Sequence, residues 1–97
     1  MSFELQFLPS ALKEWKKLGA TIREQMRKKL AERLNNPRVP ADALQGMDDH
    51  YKIKLRSAGY RLVYRVEDQT VTVTVVAIGR RERSKVYKTA RSRSGDI

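Results

Sequence analysis

Residues 51–66 read YKIKLRSAGYRLVYRV, and this stretch decides the fold. Tyr51, Ile53 and Leu55 alternate with Lys52, Lys54 and Arg56, while Tyr60, Leu62, Tyr64 and Val66 recur at the same period beside Arg61 and Arg65. A period of two means two strands, each with an apolar and a polar face. If Ala58-Gly59 is a two-residue loop, Ser57 faces Tyr60 and the apolar residues of both strands share one face. A one-residue slip would mix them with the charges, so the pattern favours this register. The opposite face then carries five cations: Lys52, Lys54, Arg56, Arg61 and Arg65. Like charges on neighbouring strands repel, and a surface shaped for stability alone would mix in acids. The face therefore reads as an anion site, set against the plainer reading of a solvated basic face.

The same logic extends outward. A hairpin around Asp68-Gln69 leads into a third strand, about residues 70–79, which adds Val71, Val73 and Val75 to the apolar side. Upstream, Phe3, Leu5 and Phe7 make a short half-buried strand. Pro9 suits a first helical position, and a helix to Leu18 buries Leu12, Trp15 and Leu18. Gly19 reads as a left-handed terminator, and Thr21 with Glu24 as a capping box for the next helix. Ile22, Met26, Leu30 and Leu34 form the inward stripe of that helix. Arg23, Arg27, Lys28, Lys29 and Arg33 form a flank that reads as solvated. Asn35-Asn36-Pro37 ends it. Residues 38–50 read as a loop anchored by Leu44 and Met47, with Asp48-Asp49-His50 as plain loop rather than a metal site. Ser84 caps a last helix over about 85–91, with Val86 and Ala90 inward and Tyr87 and Arg91 one position round. The final residues should fray. The expected fold is α+β in a single domain spanning 1–97. An N-terminal strand and α-hairpin pack on a mainly antiparallel twisted sheet, followed by a short C-terminal helix. The α-hairpin covers the apolar face, and the cationic face stays open.

Composition agrees with an anionic partner. The 97 residues include 21 Lys and Arg against 11 Asp and Glu, a net charge of +10. Residues 50–97 hold twelve of the basic and four of the acidic residues, so the functional surface should lie in the second half. There is no Cys, which excludes disulfides and zinc–thiolate sites. The longest apolar run, Val75 to Ile78, is too short to span a membrane, and the N-terminus has no signal-peptide pattern. The expected location is the cytoplasm. No Gly-rich phosphate loop, nucleophile elbow or paired-carboxylate arrangement is present, so nucleotide phosphoryl transfer, serine hydrolysis and glycoside cleavage have no support.

Lys and Arg bind phosphate, and an aromatic beside them lets a base stack. Tyr87, with Arg80, Arg81 and Arg83 just upstream, fits that need, though it also fits a tyrosine packing the last helix. RNA can cleave itself when a base takes the 2′-hydroxyl proton, the phosphorane charge is stabilised and the 5′-oxygen is helped to leave. The single His, His50, has no partner His. Such a site would rest on Lys, Arg and Tyr, and clustering would have to lower pKa values that normally lie near 10. No cofactor is called for.

The segments ALKEWKKLG, LQGM, YKIKLRSAGYRLVYRV and VVAIGRRERSKVY together resemble the RelE-type ribosome-dependent mRNA endonucleases of bacterial toxin–antitoxin systems. The resemblance runs from Phe3 to about Arg91. It implies a RelE-like, microbial-RNase-like fold and cleavage of mRNA in the ribosomal A site, leaving a 2′,3′-cyclic phosphate and a 5′-hydroxyl. It implies neutralisation by a RelB-like antitoxin, and contact with operator DNA only through the toxin–antitoxin complex, which represses its own promoter. It assigns Lys52, Lys54, Arg61, Arg81 and Tyr87 as catalytic. Arg61 stabilises the phosphate, Lys54 lowers a pKa or accepts a proton, Tyr87 is a base or stacking platform, and Arg81 serves the leaving group. Arg56, Arg65, Arg80, Arg83 and Lys85 are left to bind RNA or ribosome. Gln45 stands where the family has Arg, with Arg38 as a candidate replacement. Two competitors remain: a gyrase-poisoning toxin on the same scaffold, and a non-enzymatic basic RNA-binding module.

Overall fold

A computed structural model describes residues 2–82 and 85–94. The elements run β1 (Glu4–Phe7), α1 (Pro9–Lys17), α2 (Ala20–Asn35), a 3-10 turn (Pro40–Asp42), β2 (His50–Leu55), β3 (Tyr60–Glu67), β4 (Thr72–Arg80) and α3 (Lys85–Ser94). The strands form one sheet in the order β1-β4-β3-β2. β1 runs parallel to β4, and the other pairings are antiparallel. Expected and observed element order agree throughout.

Alternation in the quoted stretch has the consequence the pattern required. Ile53, Leu55, Leu62, Tyr64, Val66, Val73 and Val75 bury one face of the sheet against Ala11, Leu18, Met26 and Leu30 of the α-hairpin. Met26, Leu30 and Tyr64 are among the fully buried side chains. Each such residue contributes about 1.5–3 kcal/mol. Pro9 does open α1. Within α1 the core position belongs to Ala11, while Leu12 is 37% exposed and points outward. Trp15 instead packs on Phe7, with ring centroids 5.3 Å apart.

The helix boundary differs from expectation. Leu18 leaves α1 in an extended conformation, and Gly19 has φ −61°, so no left-handed terminator forms. Gly19 is itself the N-cap of α2, with no side-chain capping bond. The helix starts one residue before Thr21, which removes Thr21 from the cap position. Arg33 departs from the solvated flank. It donates to Asp42 at 2.6 Å, to the Tyr64 hydroxyl at 2.9 Å and to the Lys52 carbonyl at 3.0 Å, tying α2 to the edge strand β2. Ser84 lies outside the described residues, and so do residues 95–97 of the tail.

Both hairpin loops are two residues longer than the sequence suggests. Leu55 pairs with Tyr60 and Lys54 with Arg61, which makes residues 56–59 a four-residue loop. The Gly59 N–H donates to the Arg56 carbonyl at 3.3 Å, and Gly59 takes φ +70°, a conformation glycine adopts without a Cβ clash. A shift of two leaves every side chain on its face, because the pleat has period two. The second loop spans residues 68–71, with Glu67 paired to Thr72. Beyond it β4 bulges: Tyr64 pairs with Val75 but Val63 with Ala77, which leaves Val76 as an extra residue.

The face opposite the α-hairpin is not wholly open, contrary to expectation. Val86 and Ala90 of α3 pack there on Val63, Val76 and Ala77, with Met47 alongside. The bulge and Val63 supply this second, smaller apolar patch, and the cations occupy what surrounds it.

Candidate active site

Three rows of residues cross the sheet beneath α3. Lys54 pairs with Arg61, and Arg61 with Gly79; Lys52 pairs with Val63, and Val63 with Ala77; His50 pairs with Arg65, and Arg65 with Thr74. Neighbouring strands lie about 4.8 Å apart, so each row brings its members together on one face. The first row ends beneath the helix. A Cβ on Gly79 would stand 3.6 Å from the Val86 Cβ, so the first turn of α3 rests where a side chain is missing. Tyr87, half-buried, follows Val86 directly.

Tyr87 and Lys52 meet in a cleft of about 540 Å³ between α3 and the 43–47 loop. Lys88 and Arg91 join Tyr87 along the helix, and Leu44, Gln45 and Met47 line the loop side. The cleft thus combines an apolar wall with five polar or cationic groups, a composition suited to a base and its phosphate. Lys88 and Arg91 were not singled out for the site from the sequence. Their spacing from Tyr87, one and four positions on, was the available signal. Arg91 takes the place next to Gln45: a Cβ on Gly46 would lie 3.8 Å from its guanidinium nitrogen Nη2. Arg38 does not fill that role. It is engaged by Asp68 at 2.6 Å, by Asp49 at 2.9 Å and by the Tyr51 hydroxyl at 3.3 Å. Asp68, then Tyr51 and Asp49, raise its pKa further above the ordinary arginine value.

The cations divide by how they are held. The Lys54 ammonium is pushed below its ordinary pKa, first by Lys52, then by slight burial, and then by Arg56 and Arg61. Clustered positive charge therefore lowers the pKa at this residue. Arg61 is buried, 6% exposed, and its guanidinium donates to the Tyr60 carbonyl at 3.0 Å. Arg81 is exposed, and its N–H donates to the Gly59 carbonyl at 2.7 Å, which pins the segment after β4 to the β2–β3 turn. Arg80 lies over the Tyr60 ring, 5.1 Å from its centroid. Arg56 and Lys85 are exposed. Arg65 is paired with Glu67 and is only 21% exposed along its side chain, so it is not a free phosphate contact. Arg83 lies outside the described residues. His50 is the first residue of β2 rather than loop, and its Nδ1 lies 2.8 Å from the Asp48 carbonyl oxygen.

Comparison with known proteins bears on what such a surface does. Residues 5–85 match the family model described as the ParE toxin of type II toxin–antitoxin systems. The chain is 59% identical over 90 residues to the mRNA interferase toxin RelE of Escherichia coli, covering 93% of this chain and 95% of that one. The fold matches a double mutant of E. coli toxin RelE in the free state at a TM-score of 0.89 with 56% identity, covering 96% of this chain and 98% of the other. It also matches a chain of the intact E. coli RelBE toxin–antitoxin complex at a TM-score of 0.82 with 57% identity, over 84% of this chain and all of that one.

Proposed function

The chain belongs to the RelE/ParE family of toxins from type II toxin–antitoxin systems, and from that premise we propose that it cuts mRNA held in the ribosomal A site. The observation that carries this reading is the juxtaposition of Lys54 and Arg61 across one ladder position, with the Lys54 pKa lowered. Arg81 is anchored at the turn beside them, and Tyr87 shares a cleft with Lys52. We read these five side chains, Lys52, Lys54, Arg61, Arg81 and Tyr87, as the groups that act on the reacting nucleotide.

The chemistry follows from that set. The 2′-hydroxyl gives up its proton to Lys54 or Tyr87 and its oxygen attacks the adjacent phosphorus. Arg61 and Lys52 stabilise the phosphorane charge. The 5′-oxygen leaves beside Arg81, which offers positive charge and hydrogen bonds, and takes its proton from water, since guanidinium is too weak an acid to be a ready proton donor. The products are a 2′,3′-cyclic phosphate and a 5′-hydroxyl. To reach phosphate, Arg61 exchanges its bond to the Tyr60 carbonyl for one to the substrate, a trade of about 1 kcal/mol on the protein side. Arg56, Arg80, Arg83 and Lys85 contribute RNA contacts around the site. A cationic centre of this kind depends on a substrate already held in attack geometry, and positioning supplies ~7–11 kcal/mol. The ribosome provides that hold.

A RelB-like antitoxin with an acidic segment neutralises the basic surface, and the complex, rather than the toxin alone, binds operator DNA and represses its promoter. The protein acts in the cytoplasm, where ribosomes and message are. Primer extension on a translated message after induction tests the central claim. Breaks within codons that require ribosomes are expected, with naked mRNA cut poorly at matched concentration. Intact RNA with broken DNA would establish a gyrase poison, and bound but uncut RNA a binding module.

A further inference from the structure

Beyond Val75, where β1 stops pairing with β4, two backbone groups of β4 are taken up by side chains from different helices. The Ile78 N–H donates to Glu14 Oε1 of α1 at 3.1 Å. The Val76 carbonyl accepts from Arg93 Nη1 of α3 at 2.9 Å. Arg93 and Glu14 then meet each other through two parallel bonds, Nη1 to Oε1 at 2.8 Å and Nη2 to Oε2 at 3.1 Å. Paired bonds of this geometry are the strong class of ionic contact. Arg93 is 22% exposed and Glu14 31%, so solvent screening is reduced. The rest of the docking of α3 rests on small side chains: Val86 and Ala90 are its buried residues, and the Gly79 gap beneath Val86 contributes no side chain.

We propose that the Glu14–Arg93 fork is a latch that sets the position of α3, and thereby of Tyr87 in the cleft. Glu14 and Arg93 are positioning residues and touch no substrate. The latch has a fixed polarity, because β4 presents the Ile78 N–H to position 14 and the Val76 carbonyl to position 93. Arg93→Lys keeps a donor for the Val76 carbonyl and loses the fork. Arg93→Ala loses both. Helix α3 buries two residues, Val86 and Ala90, and an element held by few side chains opens locally before the rest of a fold.

The inference rests on the cleavage reading for one of its two readouts, and the experiment separates them. Single-turnover cleavage of ribosome-bound mRNA is measured for Arg93→Ala, Arg93→Lys and Glu14→Gln, each with Tyr87 intact and in a Tyr87→Ala background. Hydrogen exchange over 85–94 is followed in the same proteins. With Tyr87 intact, Arg93→Ala should lose about tenfold in rate, and Arg93→Lys and Glu14→Gln less. In the Tyr87→Ala background that loss should nearly vanish, because the latch acts through the residue already removed. Exchange should quicken across α3 while β2 and β3 keep their protection. Equal losses in both backgrounds, or α3 protection unchanged by Arg93→Ala, would overturn the latch. If the parent protein leaves ribosomal mRNA uncut, the cleavage reading has failed, and the exchange data alone decide whether Glu14 and Arg93 hold the helix.

Discussion

Lys54 stands directly opposite Arg61 in the β2–β3 ladder, and the pair is a cation facing a cation. Opposed like charges destabilise a sheet, and here Lys52 on the same strand and Arg56 in the adjoining loop flank Lys54. The repulsion appears in the lowered Lys54 pKa, with Lys52 as its first cause. A phosphate placed between the strands would relieve it. The arrangement spends stability in the free protein on affinity and proton chemistry in the complex.

That pKa has a pH signature. Neutral Lys54 is the form that accepts a proton, so the rate should rise with pH and level off above the lowered pKa. Lys52→Met removes the like charge that lowers the Lys54 pKa most and returns Lys54 toward its ordinary value of 10.5, moving the plateau to higher pH. Single-turnover rates from neutral to alkaline pH check this by their midpoint rather than their height. Stability has the matching sign. The folded pKa lies below the unfolded one, so the unfolded chain holds more protons between the two values, and stability rises with pH across that window. Lys52→Met should narrow it. An unmoved midpoint would remove Lys54 from the proton-accepting role.

Exposure and pairing separate phosphate contacts from structural cations. Arg56→Ala should weaken association with ribosomes and lower the log–log salt slope by about 1. Arg65→Ala should leave that slope unchanged, because Glu67 already neutralises Arg65. Binding measured over a salt series distinguishes them, and equal slopes for the two variants would contradict the division.

Substitutions at the proposed reacting groups should act on the saturated rate. Lys54→Ala, Arg61→Ala and Arg81→Ala should each cost ~10²–10⁴ in single-turnover cleavage at saturating ribosome. Tyr87→Phe divides the two roles of that residue. A loss in the same range assigns the chemistry to the hydroxyl, and a loss of a few-fold leaves the ring as a stacking platform.

Arg33 should behave as a stability residue. Its removal leaves the Asp42 carboxylate and the Tyr64 hydroxyl short of a donor and frees the Lys52 carbonyl. Arg33→Ala should cost ~1–3 kcal/mol in denaturant unfolding. Arg27→Ala, at an exposed pair with Glu24 in the same helix, should cost well under 1 kcal/mol, about what surface pairs contribute.

Antitoxin binding should be visible in α3. An acidic segment that covers the basic surface and displaces the helix would quicken hydrogen exchange across 85–94 in the complex relative to the free toxin. Unchanged or stronger protection there would mean that the antitoxin neutralises the surface with the helix in place.

The sequence determined the elements, their faces and the identity of the cationic cluster, because each of these is a local property. Alternation at period two fixed which side of β2 and β3 holds Lys52, Lys54, Arg61 and Arg65. A loop length wrong by two residues left that assignment intact. Local pattern set Tyr87 near Arg80, Arg81 and Arg83, and the family resemblance alone gave Arg81 and Tyr87 their catalytic roles. Tertiary structure decided the rest. It set Lys54 against Arg61 rather than Val63, since the loop length depends on whether Gly59 closes the turn in a left-handed conformation. It also laid α3 over Val63, Val76 and Ala77, where an open face was expected, because the bulge at Val76 turns an extra apolar side chain to that side. Arg33, Arg38 and Arg65 became structural, while Arg91 came to stand at the cleft beside Gln45. A cation's role depends on which carboxylates and carbonyls lie within a few ångströms of it. For these residues the partners are either distant in the chain, as Asp42, Asp68 and Lys52 are, or set by strand pairing. Periodicity gives the direction of a side chain, and only the folded chain supplies what it meets.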